Sequence, residues 1–171
     1  MRIVASIALT LVCASSISAL AQPRPAGFPD VVGALRATLG CLGVETAQTP
    51  GGKRVIFAWF ESKKALVDWY HGDVHQKAMK SVFPHLTFDR QPLVDLADDS
   101  GPILTIVSVK FADTSSDGAA PPIASIGIEL YGPLPGGVAV GGRFAPQALP
   151  VRGLREIPLG MVQGPPAETR R

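Results

Sequence analysis

The chain has 171 residues, which is the length of a single domain. Hydrophobic residues make up 46% of it and charged residues 18%, and this composition excludes a chain that is mainly disordered. The formal net charge of +2 is too balanced to indicate a nucleic-acid-binding protein. We therefore expect one packed domain with no nucleic-acid partner.

The first 21 residues have the three parts of a secretory signal peptide. Arg2 supplies a positive charge, an apolar run follows from Ile3 to Val12, and Ala19 and Ala21 occupy the small-residue positions of a cleavage site. Cleavage after Ala21 predicts an exported protein, either periplasmic or secreted. No stable membrane span is expected after cleavage, since no later apolar run reaches the roughly 18 residues that a spanning helix requires. An uncleaved anchor or a first core strand is the alternative.

Cys13 would leave with this signal peptide, so Cys41 would be the single cysteine of the mature chain. No intrachain disulfide is then expected. Cys41 stands at the start of an apolar stretch, which favours a buried structural cysteine over a nucleophile or a redox thiol.

The mature chain begins with a helix and a hairpin. Apolar residues recur at helical spacing from Phe28 to Leu39, and Gly40 ends this helix. Strands are predicted over 41–46 and 54–60, with Pro50-Gly51-Gly52 in the turn between them.

A second helical region and a second pair of strands follow. Ser62 is placed to cap a helix, Gly72-Asp73 interrupts it, and Phe83-Pro84 ends the helical stretch that continues. After a polar connection over residues 87–101, strands are predicted over 103–111 and 123–131. With the interrupted helix counted once, the element order is αββαββ.

This order predicts an α+β domain over residues 22–142, with a ferredoxin-like antiparallel sheet and two helices on one face. A ferredoxin-like domain runs β-α-β-β-α-β, and moving its first strand to the end gives the order αββαββ. Residues 143–171 contain five prolines and no sustained period, so we predict an extended arm or a disordered tail there.

Two of the predicted strands are apolar on both faces. The strand over 54–60 has Val55, Phe57 and Trp59 on one face and Ile56, Ala58 and Phe60 on the other. Strands of this kind are covered on both sides, and two helices on one side cover only one face. A second copy of the same sheet is the simplest cover for the other face, so we expect a homodimer.

The segment from Gly52 to His75 resembles the antibiotic biosynthesis monooxygenase (ABM)-like family of dimeric α/β barrels. Phe60-Glu61-Ser62, Trp69 and His75 stand where that family has a strand ending in an aromatic residue and an acid, a capped helix with a tryptophan, and a later histidine. The resemblance covers roughly residues 28–85. It implies a ferredoxin-like protomer whose sheet packs against that of its partner to close a barrel.

The same resemblance implies an activity. The family includes oxygenases that act on electron-rich aromatics without a cofactor, haem-degrading enzymes, and members with no known activity. This chain departs from the family pattern in two ways, since it has no evident first strand before the helix and lacks the longer Trp-to-His spacing of the haem-degrading members. A cofactor-independent monooxygenase for a small aromatic or apolar compound is one expectation. A non-catalytic protein that binds a small hydrophobic ligand, or a cell-envelope interaction protein, is the alternative.

His75 is the candidate catalytic residue. Near neutral pH it could act as a general base that removes a proton from a phenol-like substrate. His71 lies four residues earlier, but Gly72 interrupts the turn between them and no third ligand is specified, so no metal site is predicted. In the alternative interpretation His75 is buried against the sheet or hydrogen-bonded at the helix junction.

Trp69, Trp59 and Glu129 are the candidate ligand-binding residues. The two tryptophans offer stacking walls for a flat apolar ligand, or else both belong to the core. Glu129 lies within a predicted strand, so its carboxylate either faces the barrel cavity or lies in solvent or in an interface. The glycine-rich segment 132–144 lacks the ending of a phosphate-binding loop, and a structural loop or a lid over a pocket remains.

Overall fold

The computed structural model describes residues 29–85, 87, 91–112 and 123–162. The signal-peptide prediction and Phe28 lie outside these residues. The described elements in chain order are α1 (Val31–Ala37), β1 (Cys41–Gln48), β2 (Arg54–Phe60), α2 (Lys63–His71), α3 (Asp73–Val82), β3 (Ile103–Phe111), β4 (Ile123–Tyr131), β5 (Val138–Val140), β6 (Arg155–Ile157) and a 3₁₀ turn at Leu159–Met161. No helix among them is long and apolar enough to cross a membrane.

Strands β1 to β4 form one antiparallel sheet in the order β1-β2-β3-β4. The four predicted strands are confirmed, and β1 runs two residues further than predicted, to Gln48. The α+β architecture is compatible with a ferredoxin-like fold. The permutation is not confirmed: β3 pairs directly with β2 and β4 lies at the edge. Moving the first strand of a ferredoxin-like domain to the end would instead place that strand between β2 and β3.

Side-chain caps begin two of the helices. The Ser62 hydroxyl accepts a hydrogen bond from the backbone N–H of Ala65 at 3.2 Å and starts α2, as the sequence predicts. The Asp30 carboxylate accepts from the backbone N–H of Gly33 at 3.0 Å, so α1 starts at Val31 and is shorter than its apolar period suggested. Gly72 separates α2 from α3, which gives three helices where two were predicted.

One face of the sheet packs against the helices. In the strand register Val44, Ala58 and Ile103 lie on the same face, and they meet Leu35 of α1 and Leu66 of α2. All five residues are less than 10% exposed, and with Phe60 and Ala65 they form the hydrophobic core. Helix α3 packs against α1 and α2, with Ala78 buried.

The opposite face is covered in part by residues 143–150, which we call the covering segment. The Phe144 ring meets Phe57 edge-on, with 5.0 Å between ring centroids, and lies 5.3 Å from the Trp59 ring. A Cβ at Gly43 would lie 2.8 Å from Cβ of Pro146, so this close approach requires glycine. The chain itself therefore covers part of the face for which the sequence predicted a second copy.

The covering segment lies between two short strands. β5 and β6 pair in parallel, with Val138 opposite Arg155 and Val140 opposite Ile157. Arg143 donates a hydrogen bond to the Gln147 carbonyl at 2.7 Å, and Leu149 is 5% exposed. Within the predicted tail, Phe144 and Pro146 thus pack on the sheet and β6 pairs with β5, whereas Met161 and Val162 are exposed. Residues 163–171 lie outside the described residues.

Candidate functional site

A large cavity lies between the helices and the face of the sheet that they cover. Its volume is about 870 Å³, within the range of roughly 300–1,000 Å³ that is usual for small-molecule sites. The floor is formed by alternate residues of the strands, including Ile56, Ala58, Thr105, Val107, Ile126 and Ile128. The helices supply the walls, including Val32, Leu35, Leu66, Trp69, His75, Ala78, Met79 and Val82.

The placement of the helices explains why this space is open. Buried side chains of α1 and α2 cluster over β1, β2 and the start of β3. Further across the same face, Ile128 of β4 is 51% exposed and Leu130 is 39% exposed. The apolar floor therefore continues from the closed core under the helices to a part of β4 that no described helix covers, and the cavity opens in that direction.

Trp69 is a wall of this cavity. It sits on the inward face of α2, where it packs against the hydrophobic core while part of its side chain remains accessible. Its ring centroid lies 5.7 Å from that of His75. Trp69 and His75, two of the residues selected from the sequence, are therefore neighbours in one cavity.

The geometry of His75 sets its protonation and tautomer. Its Nδ1 lies 2.8 Å from the Tyr70 carbonyl oxygen. Because a carbonyl only accepts hydrogen bonds, Nδ1 carries a proton, and in the neutral ring Nε2 is left as an acceptor. Burial lowers the pKa of His75, more than the hydrogen bond to Tyr70 raises it, and the nearby His71 lowers it further. His75 is thus hydrogen-bonded at the helix junction, and it lines the cavity as a neutral base.

Trp59 and Glu129 lie on the opposite face of the sheet from this cavity. Trp59 is 4% exposed and stacks beside Phe57 under Phe144. Glu129 is exposed, and its carboxylate accepts a hydrogen bond from the Tyr131 hydroxyl, which raises the pKa of Tyr131. The two tryptophans therefore cannot wall the same ligand, and the Glu129 carboxylate is paired on the face away from the cavity.

Thr105 is a cavity residue that the sequence analysis passed over. It is 7% exposed, and its hydroxyl oxygen has no hydrogen-bond partner among the described residues. The signal was present in the sequence, because Thr105 interrupts the apolar side of a strand that reads Ile103, Val107, Val109 and Phe111 on that face. Thr105 thus places a hydroxyl group on the face of the sheet that the helices cover.

A second hollow of about 680 Å³ lies between α2 and the connection at residues 91–98. Its charged groups pair with one another or with neighbours. Lys63 Nζ lies 2.8 Å from an oxygen of Asp98, while Lys64 Nζ lies 2.6 Å from an oxygen of Asp68. The Lys63–Asp98 pair, with the hydrogen bond from Lys63 to the Leu96 carbonyl at 2.6 Å, fixes this connection to α2. We assign this hollow a structural role.

Cys41 and the histidines give no sign of metal or thiol chemistry in the part of the chain that the structure describes. No group of three or more His, Cys, Asp or Glu side chains there is arranged to hold a metal ion. Cys41 packs against the hydrophobic core, and burial raises the pKa of its thiol. A thiol held protonated in this way is a poor nucleophile.

Comparisons with models of known families, with curated proteins and with solved structures found no match to this chain. The fold and the site by themselves define an α+β protein with an apolar cavity between its helices and its sheet.

Proposed function

We propose that the protein binds a small hydrophobic molecule in the cavity between the helices and the sheet. The observation that carries the proposal is an apolar cavity of about 870 Å³ whose floor runs from the buried Ala58 to the half-exposed Ile128. A site of this size with a mainly apolar lining and a few polar groups is typical of small-molecule binding. The Trp69 side chain offers a stacking surface for a flat ligand.

A cavity-filling substitution tests this proposal. Val107 is half-buried on the cavity floor, so a tryptophan there would occupy the space of a ligand. Lys110 lies on the same strand, on the opposite face and exposed, so Lys110→Trp adds the same side chain outside the cavity. We expect the folded full chain to bind naphthalene, measured by fluorescence titration, and Val107→Trp to weaken this binding at least tenfold.

The control variant decides how the result is interpreted. Lys110→Trp is expected to bind like the unmodified protein. Equal loss of binding in both variants would point to a general disturbance of the sheet. Unchanged binding in a folded Val107→Trp variant would contradict a site in this cavity.

A second candidate function is supported by His75. Its hydrogen bond to Tyr70 leaves Nε2 as the acceptor, and burial keeps the ring neutral at pH 7, which are the properties of a general base. The proposal is a cofactor-independent oxygenase of the ABM-like type, in which His75 removes the proton of a phenol-like substrate before it reacts with oxygen. Trp69 would hold the ring of that substrate.

Replacing His75 by asparagine separates catalysis from binding. The asparagine amide can still donate to the Tyr70 carbonyl, while the acceptor at the position of Nε2 is lost. If the protein is an oxygenase, the variant should retain affinity for an electron-rich phenol and lose oxygen uptake by at least a hundredfold. If the unmodified protein consumes no oxygen with such phenols, or if the variant keeps its rate, the catalytic role of His75 is wrong.

We also propose that two copies of the chain associate along β4. Supporting this, Ile128 and Leu130 expose apolar surface on an edge strand that has no neighbour on its outer side among the described residues. Sedimentation equilibrium should then give a dimer for the unmodified protein and a monomer for Ile128→Lys. Leu134→Lys, at an 83% exposed position outside β4, should leave the dimer intact.

Export is a further part of the proposal, and it rests on the sequence of the first 21 residues. A mature N-terminus at Gln22 in the cell envelope or the medium is the expected result from mass spectrometry of the native protein. Recovery of the protein in the cytoplasm with Met1 retained would contradict it.

A further inference from the structure

Thr105 lies in the middle of the cavity floor. It pairs with Ala58 of β2 on one side and with Leu130 of β4 on the other, and neither side chain has a polar group. The next residues on the same face of β3 are Ile103 and Val107, which are also apolar. Thr105 is only 7% exposed, and its Oγ1 has no hydrogen-bond partner among the described residues.

A hydroxyl group in this position destabilises the fold unless something pairs with it. A buried polar group without a partner loses its hydrogen bonds to water and regains none. Valine has nearly the same shape as threonine, fits a strand at least as well, and would remove this cost. The neighbours of Thr105 therefore do not account for its hydroxyl, whereas a bound molecule would.

We propose that Thr105 is a specificity-determining residue, and that the ligand is an otherwise apolar molecule with one hydroxyl or carbonyl oxygen that pairs with its Oγ1. This inference rests on the proposed function of the cavity as a small-molecule site. A threonine hydroxyl both donates and accepts, so it pairs with either kind of oxygen. Thr105 lines the cavity, and its Oγ1 is itself buried in this structure. Pairing with a ligand therefore requires rotation about the Cα–Cβ bond, which exchanges the hydroxyl and the methyl group between staggered positions.

The size of the expected effect follows from the asymmetry of buried hydrogen bonds. Removing the partner of a bound hydroxyl group leaves that group unpaired in an apolar site. We expect Thr105→Val to weaken binding of an oxygen-bearing ligand about tenfold, whereas binding of the matching hydrocarbon is unchanged or slightly stronger. Thr105→Ser keeps the hydroxyl and should keep the preference.

The test uses the full chain and two probes of the same shape, 2-naphthol and naphthalene. Affinities for both are measured by fluorescence titration with the unmodified protein, Thr105→Val and Thr105→Ser. Thermal unfolding without ligand is measured for the same three proteins. The inference predicts a preference for 2-naphthol that only Thr105→Val abolishes, together with a higher unfolding temperature for unliganded Thr105→Val.

The outcomes separate this inference from the function on which it rests. If the unmodified protein binds neither probe, the proposed function is wrong and the inference falls with it. If both probes bind but 2-naphthol has no advantage, or if Thr105→Val weakens both equally, the cavity is a ligand site in which Thr105 selects nothing. Loss of the preference in Thr105→Ser would also overturn the inference, since that variant retains the hydroxyl.

Discussion

Replacing Leu149 by alanine tests whether the covering segment is part of the folded domain. Leu149 is 5% exposed, although it lies in a stretch without regular secondary structure of its own. Truncation of a buried leucine to alanine costs about 2–5 kcal/mol, depending on how far the surroundings collapse into the space. Because this stretch has no helix or strand hydrogen bonds to hold it in place, it can collapse partly into the space, and we expect about 2–3 kcal/mol.

The assay is thermal unfolding followed by circular dichroism. For a chain of this size, each kcal/mol lowers the unfolding temperature by roughly 2–4 °C, so the expected shift is about 4–12 °C. Leu134→Ala is the matched control, because Leu134 is 83% exposed and belongs to the same C-terminal part of the chain. Its substitution should change stability by less than about 0.5 kcal/mol.

Equal unfolding temperatures for the two variants would refute the reasoning. That result would mean that residues 143–150 are detached from the sheet in solution, as in the disordered tail that the sequence left open. The exposure of Trp59 would then change too, because Phe144 lies over its ring. Acrylamide quenching of tryptophan fluorescence in Phe144→Ala measures the same contact independently.

Two further predictions concern a glycine and a histidine. Gly40 has φ +78° and an added Cβ would lie 2.6 Å from Cβ of Ala65, whereas Gly52 has φ +79° and open space around it. In urea titrations Gly40→Ala should therefore lower the free energy of unfolding by about 1–3 kcal/mol more than Gly52→Ala does. Equal unfolding midpoints for the two variants would contradict the close packing at Gly40. Because burial lowers the pKa of His75 below its ordinary 6.5, the unfolded chain takes up the proton first as the pH falls. Stability should decline from pH 7.5 toward pH 5, and His75→Asn, which keeps the donor to Tyr70, should show a shallower decline in urea titrations.

Local signals in the sequence predicted most of the element boundaries. β2, β3 and β4 begin and end where runs of apolar residues meet turn residues, and Ser62 caps α2 because its hydroxyl satisfies a free N–H at the helix start. The order of the strands depends on contacts between residues far apart in the chain. No local pattern fixes such contacts, so the sequence could not predict that β3 pairs directly with β2. The predicted permutation depends on that pairing, and it is not confirmed.

The candidate site shows the same difference between local signals, which the sequence contains, and long-range packing, which it does not reveal. Helical spacing was sufficient to place Trp69 on an inward face, and the short distance along the chain brought His75 beside it. The strand pattern could not tell which face of β2 meets the helices, since both faces are apolar. Trp59 was grouped with the cavity residues for this reason, and Glu129 because a carboxylate inside a predicted strand could face the cavity. Both lie across the sheet from it.

The cover on each face of the sheet also bears on how two copies could pair. A barrel closed by two sheets, as the ABM-like resemblance implies, uses the face opposite the helices. In this chain Phe144 and Pro146 already lie on that face, over Phe57 and Gly43. A second copy could close such a barrel only after displacing the covering segment, at the cost of the packing that Leu149→Ala measures. Association along Ile128 and Leu130 of β4 displaces none of the described residues, and it would cover the open side of the cavity at the same time.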